Sequence, residues 1–416
     1  MPEAAILPFD AALGVVLAQA ARSATPATEG VPLLESAGRV LAEAVTADRD
    51  QPPFDRATKD GFAVRAAEFS QGGELRIAGE IRAGERWDGP ALAPGTAIAI
   101  MTGATMPPGA DAVAMIEDTA SSADRIRGVS GKALRAGENL VGRGREAQAG
   151  RAILLPGSRI GASEIALAAT CGRERLKVFA RPTVAIVATG DELVDLHATP
   201  DAQQIRNSNS YALAALVEAT GCTAMRMPIA RDVREEIADR VTEGRTYDLL
   251  LLSGGVSMGK YDLVEEVLTE AGADFFFTGV KMQPGKPVVF GRLPERATGD
   301  HTVPERLFFG LPGNPVSTQV TFHCFVEPLL RTMSGEGAAA PRFVQATLGE
   351  EVTTRSGAMR LLPARLSSDR SRPEVKLVPW QGSGDLAANG RANCYVVLPP
   401  DRDSYMEGDV VTVLLR

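Results

Sequence analysis

Apolar residues run unbroken in short blocks between residues 184 and 311, and each block gives way to a glycine-bearing turn or a helical repeat. Residues 184–188 read Val-Ala-Ile-Val-Ala, residues 249–252 are leucines behind Asp248, and residues 307–311 read Leu-Phe-Phe-Gly-Leu. Runs of this kind suit strands buried on both faces, as in a parallel sheet. Residues 275–277 and 287–290 predict further strands. Helices are predicted at 208–220 with Ser208 as cap and Gly221 as stop, at 233–242 behind Asp232, at 263–268 behind Asp262, and over 316–330. Strands alternating with helices imply a three-layer α/β sheet of parallel type.

The flanking regions follow other rhythms. Phe9, Leu13, Val16, Leu17 and Ala20 recur at helical spacing, so an amphipathic helix is predicted over 9–22, starting near Pro8. A second short helical pattern covers 35–41, and a third covers 163–171, with Ser163 as cap and Gly172 past its end. Between residues 74 and 130 helical periodicity is absent. Short strands at 75–77, 96–100 and 112–116 are punctuated by Gly and Pro, which predicts a small all-β module. A Gly/Ala-rich linker is expected at 333–341. Five short strands follow at 343–348, 361–366, 375–379, 394–398 and 410–415, as in a small β barrel or sandwich. The fold class is therefore multi-domain, α/β plus β.

Length and composition narrow the function. A chain of 416 residues suits two to four domains. A net charge of −8 and an aromatic content of 5% argue against a generic nucleic-acid binder with a base-stacking platform. Cys171, Cys222, Cys324 and Cys394 show no CxxC spacing, and His197, His301 and His323 lack zinc-site spacing. No 18-residue apolar run predicts a membrane span, and Met1-Pro2-Glu3 lacks the basic start of a signal peptide, so a cytoplasmic protein is expected.

The candidate chemistry lies in the turns. Residues 189–190, 253–255 and 312–313 each end a predicted strand with glycine, and a parallel sheet would bring all three to one carboxyl edge, where ligands bind. Asp248 to Asp262 joins a strand, Ser253-Gly254-Gly255, Ser257 and a helix start, an ordinary geometry for gripping an anion or simply a tight turn. Carboxylates come from Asp60, Asp191, Glu192, Asp232 and Asp262, cations from Lys260, Lys281 and Lys286, and neutral donors from Ser253 to Ser257 and Asn314. Carboxylates beside lysines suit a phosphate-bearing substrate with a divalent metal, and oxygen ligands favour magnesium. Lys281-Met282-Gln283-Pro284-Gly285-Lys286 either shares an anion between two lysines or leaves both solvated. The charge-dense segment 48–64 is either a solvated loop or a site, and 101–111 offers Thr102 and Gly103 either to an anion or to a plain turn. No Walker loop, GxSxG or Cys/His pairing supports covalent catalysis.

Taken in order, Pro-Pro-Phe-Asp, Lys-Asp-Gly-Phe-Ala-Val, Met-Thr-Gly-Ala, Glu-Asn-Leu, Ala-Thr-Gly-Asp-Glu-Leu, Asn-Ser-Asn-Ser, Ser-Gly-Gly-Val-Ser-Met-Gly, Gln-Pro-Gly-Lys-Pro and Gly-Leu-Pro-Gly-Asn-Pro-Val-Ser resemble the MoeA molybdopterin molybdenumtransferase family, related to the gephyrin E domain. The likeness spans essentially the whole chain. It implies a split N-terminal domain (1–47 and 137–180), an inserted β domain (48–136), a molybdopterin-binding α/β domain (181–333) and a C-terminal β domain (334–416). It also implies insertion of molybdate into adenylylated molybdopterin with release of AMP, aided by Mg2+. An elongated homodimer is expected, with molybdopterin adenylyltransferase and apo-molybdoenzymes as further partners. The likeness casts Glu192, Asp60, Asp262, Lys281 and Lys286 as catalytic, with Glu192 and Asp262 at the metal and Asp60 supplied by the partner subunit. Thr102, Asp232, Ser253, Gly254, Gly255, Ser257, Pro312, Gly313, Asn314, Arg360 and Ser383 would bind substrate. The chain departs from the family at Arg56 to Lys59, where Asn-Ser-Ala-Met is usual, at Glu146, where aspartate is usual, and at Gln283, where lysine is common. The alternatives are a molybdopterin adenylyltransferase-like enzyme, which the extra domains disfavour, and a non-catalytic carrier or scaffold.

Overall fold

The computed structural model describes residues 6–416 except 24–25, 130–131, 256–262, 299–300, 338, 356 and 368–371. At its centre is a six-stranded sheet. Its strands are β1 (Thr183–Ala188), β2 (Thr223–Arg226), β3 (Leu249–Ser253), β4 (Asp274–Phe277), β5 (Val289–Leu293) and β6 (Arg306–Leu311), in the order β2-β1-β3-β6-β5-β4. β2, β1, β3 and β6 are parallel, whereas β5 runs antiparallel to both of its neighbours, β6 and β4, so that β4 points the same way as β6. The expectation of a parallel sheet thus holds for the direction of five strands and is corrected for one, β5. No helix separates β4 from β5 or β5 from β6, and parallel neighbours need such a crossover.

Alternation along each strand builds the three layers. Leu249, Leu251, Ile186 and Phe309 face one apolar cluster, while Leu250, Leu252, Val187 and Phe308 face the other. The second face is covered by the helices Arg234–Gly244 and Leu263–Glu270. The first is covered by Asn209–Ala219, by the helical run that begins at Pro315, and by Phe9–Arg22. Each fully buried leucine contributes about 2 kcal/mol. The helix Phe9–Arg22 turns Phe9, Ala12, Val16 and Ala20 into the α/β core, with the Phe9 ring tilted against Phe325 at a centroid distance of 5.4 Å, although it precedes the rest of the N-terminal domain in sequence.

The run from Pro315 departs from a regular α-helix. Pro315–Thr321 gives way to a wide turn, Phe322–Val326, before Glu327–Arg331. Pro328 explains the widening, because its ring would strike the carbonyl four residues back and it has no N–H to donate. Helical turns continue to Glu336 around a left-handed Gly335 (φ 94°), so the linker expected from residue 333 is shorter.

The remaining strands form two β units. Gly61–Val64, Leu75–Ile81, Thr96–Ile100, Ala112–Met115, Thr119–Ser122 and Arg125–Gly128 form a six-stranded sheet. Thr28–Pro32 pairs with Arg175–Phe179, and Val45–Thr46 pairs with Ala152–Leu154, so segments on either side of that sheet meet in space. In the C-terminal region Phe343–Leu348, Met359–Ser367, Glu374–Leu377, Cys394–Leu398 and Val410–Leu415 close into a five-stranded barrel.

Several local expectations are corrected. Residues 33–36 make only a 3₁₀ turn where a helix was expected over 35–41. Ser163 lies inside the helix Ala162–Thr170, whose first turn is held instead by Glu164 accepting from Gly161 N–H at 2.8 Å. Ser208 makes no side-chain cap, and Asn207 accepts from Ser210 N–H in its place at 3.1 Å. Asp232 does not cap the next helix, which starts at Arg234 after an extended Val233. Asp262, the expected cap of Leu263–Glu270, lies outside the described residues.

Candidate active site

Three strand ends meet at one edge of the sheet. Thr189 N–H donates to Ser253 O at 3.0 Å, and Gly254 N–H donates to Leu311 O at 3.2 Å. Asn209 ties them together: its Nδ2 donates to Ser253 Oγ at 3.1 Å and to Gly313 O at 2.7 Å. Only glycine fits at Gly254, which has φ 97° and where a Cβ would lie 2.5 Å from Thr189 O. Thr189 Oγ1 is buried with no hydrogen-bond partner beneath Gly254 and Gly255. Ser253, Gly254, Gly255, Pro312, Gly313 and Asn314 are therefore brought to one place. Ser257 lies outside the described residues.

An acidic loop rises from the end of β1. The Glu192 carboxylate folds back on Gly190, where a Cβ would come within 2.5 Å of Oε2. Asp191 Oδ1 accepts from Asp232 N–H at 3.1 Å. Desolvation, followed by repulsion from Asp191, raises the Asp232 carboxyl above the ordinary carboxylate range. Among the described residues no three His, Cys, Asp or Glu side chains cluster tightly enough to enclose a metal ion. The donors are nevertheless all carboxylate oxygens, and Asp232 is raised by desolvation first and by the neighbouring Asp191 charge second. That fits a hard divalent cation such as magnesium, which takes one or two carboxylates and keeps waters or substrate oxygens for the rest.

A basic element sits farther along the helical run. Lys281 is fixed through its backbone: its N–H donates to Leu7 O at 2.8 Å, and its carbonyl accepts from Met359 N–H at 3.1 Å. Met282–Gln283 adds as a parallel strand to the barrel, placing Gln283 opposite Arg360. Gly285 (φ 106°) packs on Thr321, where a Cβ would meet the Thr321 methyl at 2.5 Å. Lys281 and Lys286 are exposed on this loop, and Arg360 Nε is buried with no hydrogen-bond partner. Thr321 is seven residues beyond Asn314, so the lysine loop and the sheet edge are separated by roughly 10 Å along the helix axis. The barrel reaches the sheet edge as well, because Ser383 O accepts from Val316 N–H at 3.0 Å.

Asp60 and Thr102 are joined to each other in the inserted β unit. Thr102 N–H donates to Asp60 Oδ1 at 2.6 Å and, as the largest influence, lowers the Asp60 carboxyl below its ordinary value. No hydrogen bond or ion pair among the described residues links this pair to the sheet edge of the same chain. Two departures from the family pattern prove to be partners, since Arg56 Nη2 meets Glu146 Oε1 at 2.8 Å. Sequence reasoning missed the tying role of Asn209, although Asn-Ser-Asn-Ser at the start of a helix facing the sheet edge carried the signal.

Comparison with known proteins agrees with this architecture. Family models match in chain order: the MoeA N-terminal region (domain I and II) over residues 7–172, a probable molybdopterin binding domain over 185–332, and the MoeA C-terminal region (domain IV) over 345–415. A molybdopterin molybdenumtransferase of Staphylococcus aureus is 32% identical over 392 residues, covering 92% of this chain and 90% of the relative. The chain belongs to the MoeA molybdopterin molybdenumtransferase family. A relative of that name from Nostoc is 33% identical over 401 residues, covering 93% of this chain and 88% of its own length. The crystal structure of a molybdopterin biosynthesis MoeA protein from Pyrococcus horikoshii aligns with a TM-score of 0.76 and 26% identity, covering 99% of this chain and all (100%) of that one. A second MoeA structure from that organism aligns at 0.69 with 30% identity, covering 99% of each chain. No helix among the described residues is long and apolar enough to cross a membrane.

Proposed function

We propose that this member of the MoeA family is a transferase of molybdenum cofactor biosynthesis that inserts molybdate into adenylylated molybdopterin and releases AMP. The buried Arg360 Nε carries the reading. An unpaired guanidinium N–H at that depth is costly unless a ligand accepts from it. The Arg360 backbone pairs with that of Gln283, which lies between Lys281 and Lys286 in the chain, and this supports reading that end of the site as an oxyanion receptor. The opposite end, at the sheet edge, offers the glycine-loop backbone and Asn314. A ligand about 10 Å long with an anion at one end spans the two.

Glu192, with Asp191 and Asp232 nearby, would hold Mg2+, and Asp262 joins them in this reading. The bound cation would offset charge on the departing phosphate oxygens. Lys281, Lys286 and Arg360 would bind and orient the oxyanion, and the glycine loops would admit the ligand to the main chain. Asp60 and Thr102 enter as groups from a second copy, so the working unit in this reading is a homodimer in the cytoplasm. The test is AMP release from adenylylated molybdopterin with and without molybdate, in wild type and Glu192→Ala. Molybdate-dependent release that vanishes in a folded Glu192→Ala variant is expected. ATP-dependent transfer of AMP onto molybdopterin, or a variant as active as wild type, would overturn the reading.

A further inference from the structure

The barrel is fastened to the helical run at two points one turn apart. Val316 N–H donates to Ser383 O, and three residues later Gln319 Oε1 accepts from Asn389 Nδ2 at 2.9 Å. Residues three apart share a helix face, so the two fastenings together fix both the position and the tilt of the intervening segment. That segment is stiff. Asp385 accepts from Gln381 N–H at 3.0 Å and from Ala388 N–H at 2.9 Å, and the short helix Leu386–Arg391 follows directly.

Asn389 is 1% exposed, and every polar atom it carries beyond its own helix has a partner from outside. Tyr395 Oη donates to its Oδ1 at 2.9 Å. Arg416 Nη1 donates to the carbonyls of Asn389 and Ala392 at 2.7 and 2.9 Å, and Arg416 Nη2 reaches Gln319 Oε1 at 3.4 Å. Tyr395 and Arg416 belong to the same C-terminal region as Asn389, whereas Gln319 belongs to the helical run, so the network anchors Asn389 in the barrel and ties it to that run. It sets where one loop of the barrel stands against the sheet edge.

We propose that Asn389, locked by Gln319, Tyr395 and Arg416, is a positioning residue that places Ser383 at the Pro312–Asn314 edge of the site. This rests on the reading of that edge as the substrate site. Asn389→Ala frees the segment, so KM for adenylylated molybdopterin rises about tenfold while kcat changes little. Asn389→Asp keeps the Tyr395 bond, gains Arg416 as a counter-charge and lets the Gln319 amide turn to donate, so KM returns to within about threefold of wild type.

The deciding measurement is a double-mutant cycle with Ser383→Ala. If Asn389 acts through Ser383, the double variant is no worse in KM than Ser383→Ala alone. Additive effects, or an unchanged KM in Asn389→Ala, would overturn the proposal. Should Asn389→Ala fail to fold, the exposed Arg416→Ala replaces it in the same cycle, with a rise of about threefold expected. Hydrogen exchange at the Val316 amide separates this proposal from the functional one. Its protection falls in Asn389→Ala whatever the enzyme's substrate, and unchanged protection refutes the positioning role even if activity is lost. Absence of molybdate-dependent AMP release in wild type, with Val316 protection lost in the variant, would instead refute only the functional reading.

Discussion

Gly254→Ala tests the geometry of the sheet edge most directly. Gly254 has φ 97°, a conformation that costs a Cβ-bearing residue about 1–2 kcal/mol. The new methyl would stand 2.5 Å from Thr189 O and 3.1 Å from Thr189 Oγ1. Neither can retreat freely, because Thr189 N–H is bonded to Ser253 O on the adjoining strand. Relieving that overlap costs a further 1–3 kcal/mol or so. The total of about 2–5 kcal/mol lowers Tm by roughly 5–15 °C in an α/β domain of this size. The sheet core beneath the loop is untouched, so the variant folds. Displacing Thr189–Gly190 from the other two strand ends lowers turnover by at least about tenfold, in keeping with the cost of a small misplacement in a site. Gly14→Ala is the matched control. Gly14 lies inside the helix Phe9–Arg22 with no atom within 4 Å of a Cβ, so the change stabilises by about 0.5–1 kcal/mol. Thermal unfolding and AMP release on the three proteins decide the matter. A Gly254→Ala variant with wild-type Tm and turnover would refute the close approach of the strand ends.

Two further outcomes follow from buried charges. Glu336 receives Arg159 Nε at 2.6 Å and Arg331 Nε at 2.9 Å and is 9% exposed, so Glu336→Ala removes the shared counter-charge of two arginines that keep only carbonyl partners and should cost about 1–3 kcal/mol in denaturant unfolding; no measurable loss would count against it. Burial alone would raise the Glu327 carboxyl, but the His323 hydrogen bond (2.8 Å), its charge and Arg342 with Arg331 hold it below its ordinary value. Its stabilisation is complete above the unfolded carboxylate value of about 4.3 and is lost as pH falls through the lower folded value. Glu327→Gln should remove that part of the acid dependence, and parallel stability–pH curves for the two proteins would refute the assignment.

Much of this was legible in the sequence. Leu249 to Leu252 read as a strand covered on both sides, and glycines at 190, 254 and 313 marked where three strands end together. The five C-terminal strands were legible as short runs separated by turns, with barrel and sandwich both left open. The Lys281–Lys286 turn announced itself by charge. Legibility failed where partners are distant or several donors compete. Asp232 and Ser208 looked like caps because cap preference is local, yet Asn207 supplies the hydrogen bond at Asn209–Ala219 and no side chain caps Arg234–Gly244. Arg56 and Glu146 looked like separate departures and are in fact one ion pair, 90 residues apart in the chain.

The sequence by itself determined which residues face inward, where strands stop and which loops carry charge, because side-chain period and turn chemistry are properties of a few consecutive residues. Only the tertiary structure decided the antiparallel return of Val289–Leu293, the closure of the barrel, the addition of Met282–Gln283 to it, and the Gln319–Asn389 fastening beside Ser383. Each of these joins segments whose backbone or amide groups are chemically interchangeable with many others. What selects among them is the packing that brings one pair, and not another, within 3 Å while excluding water.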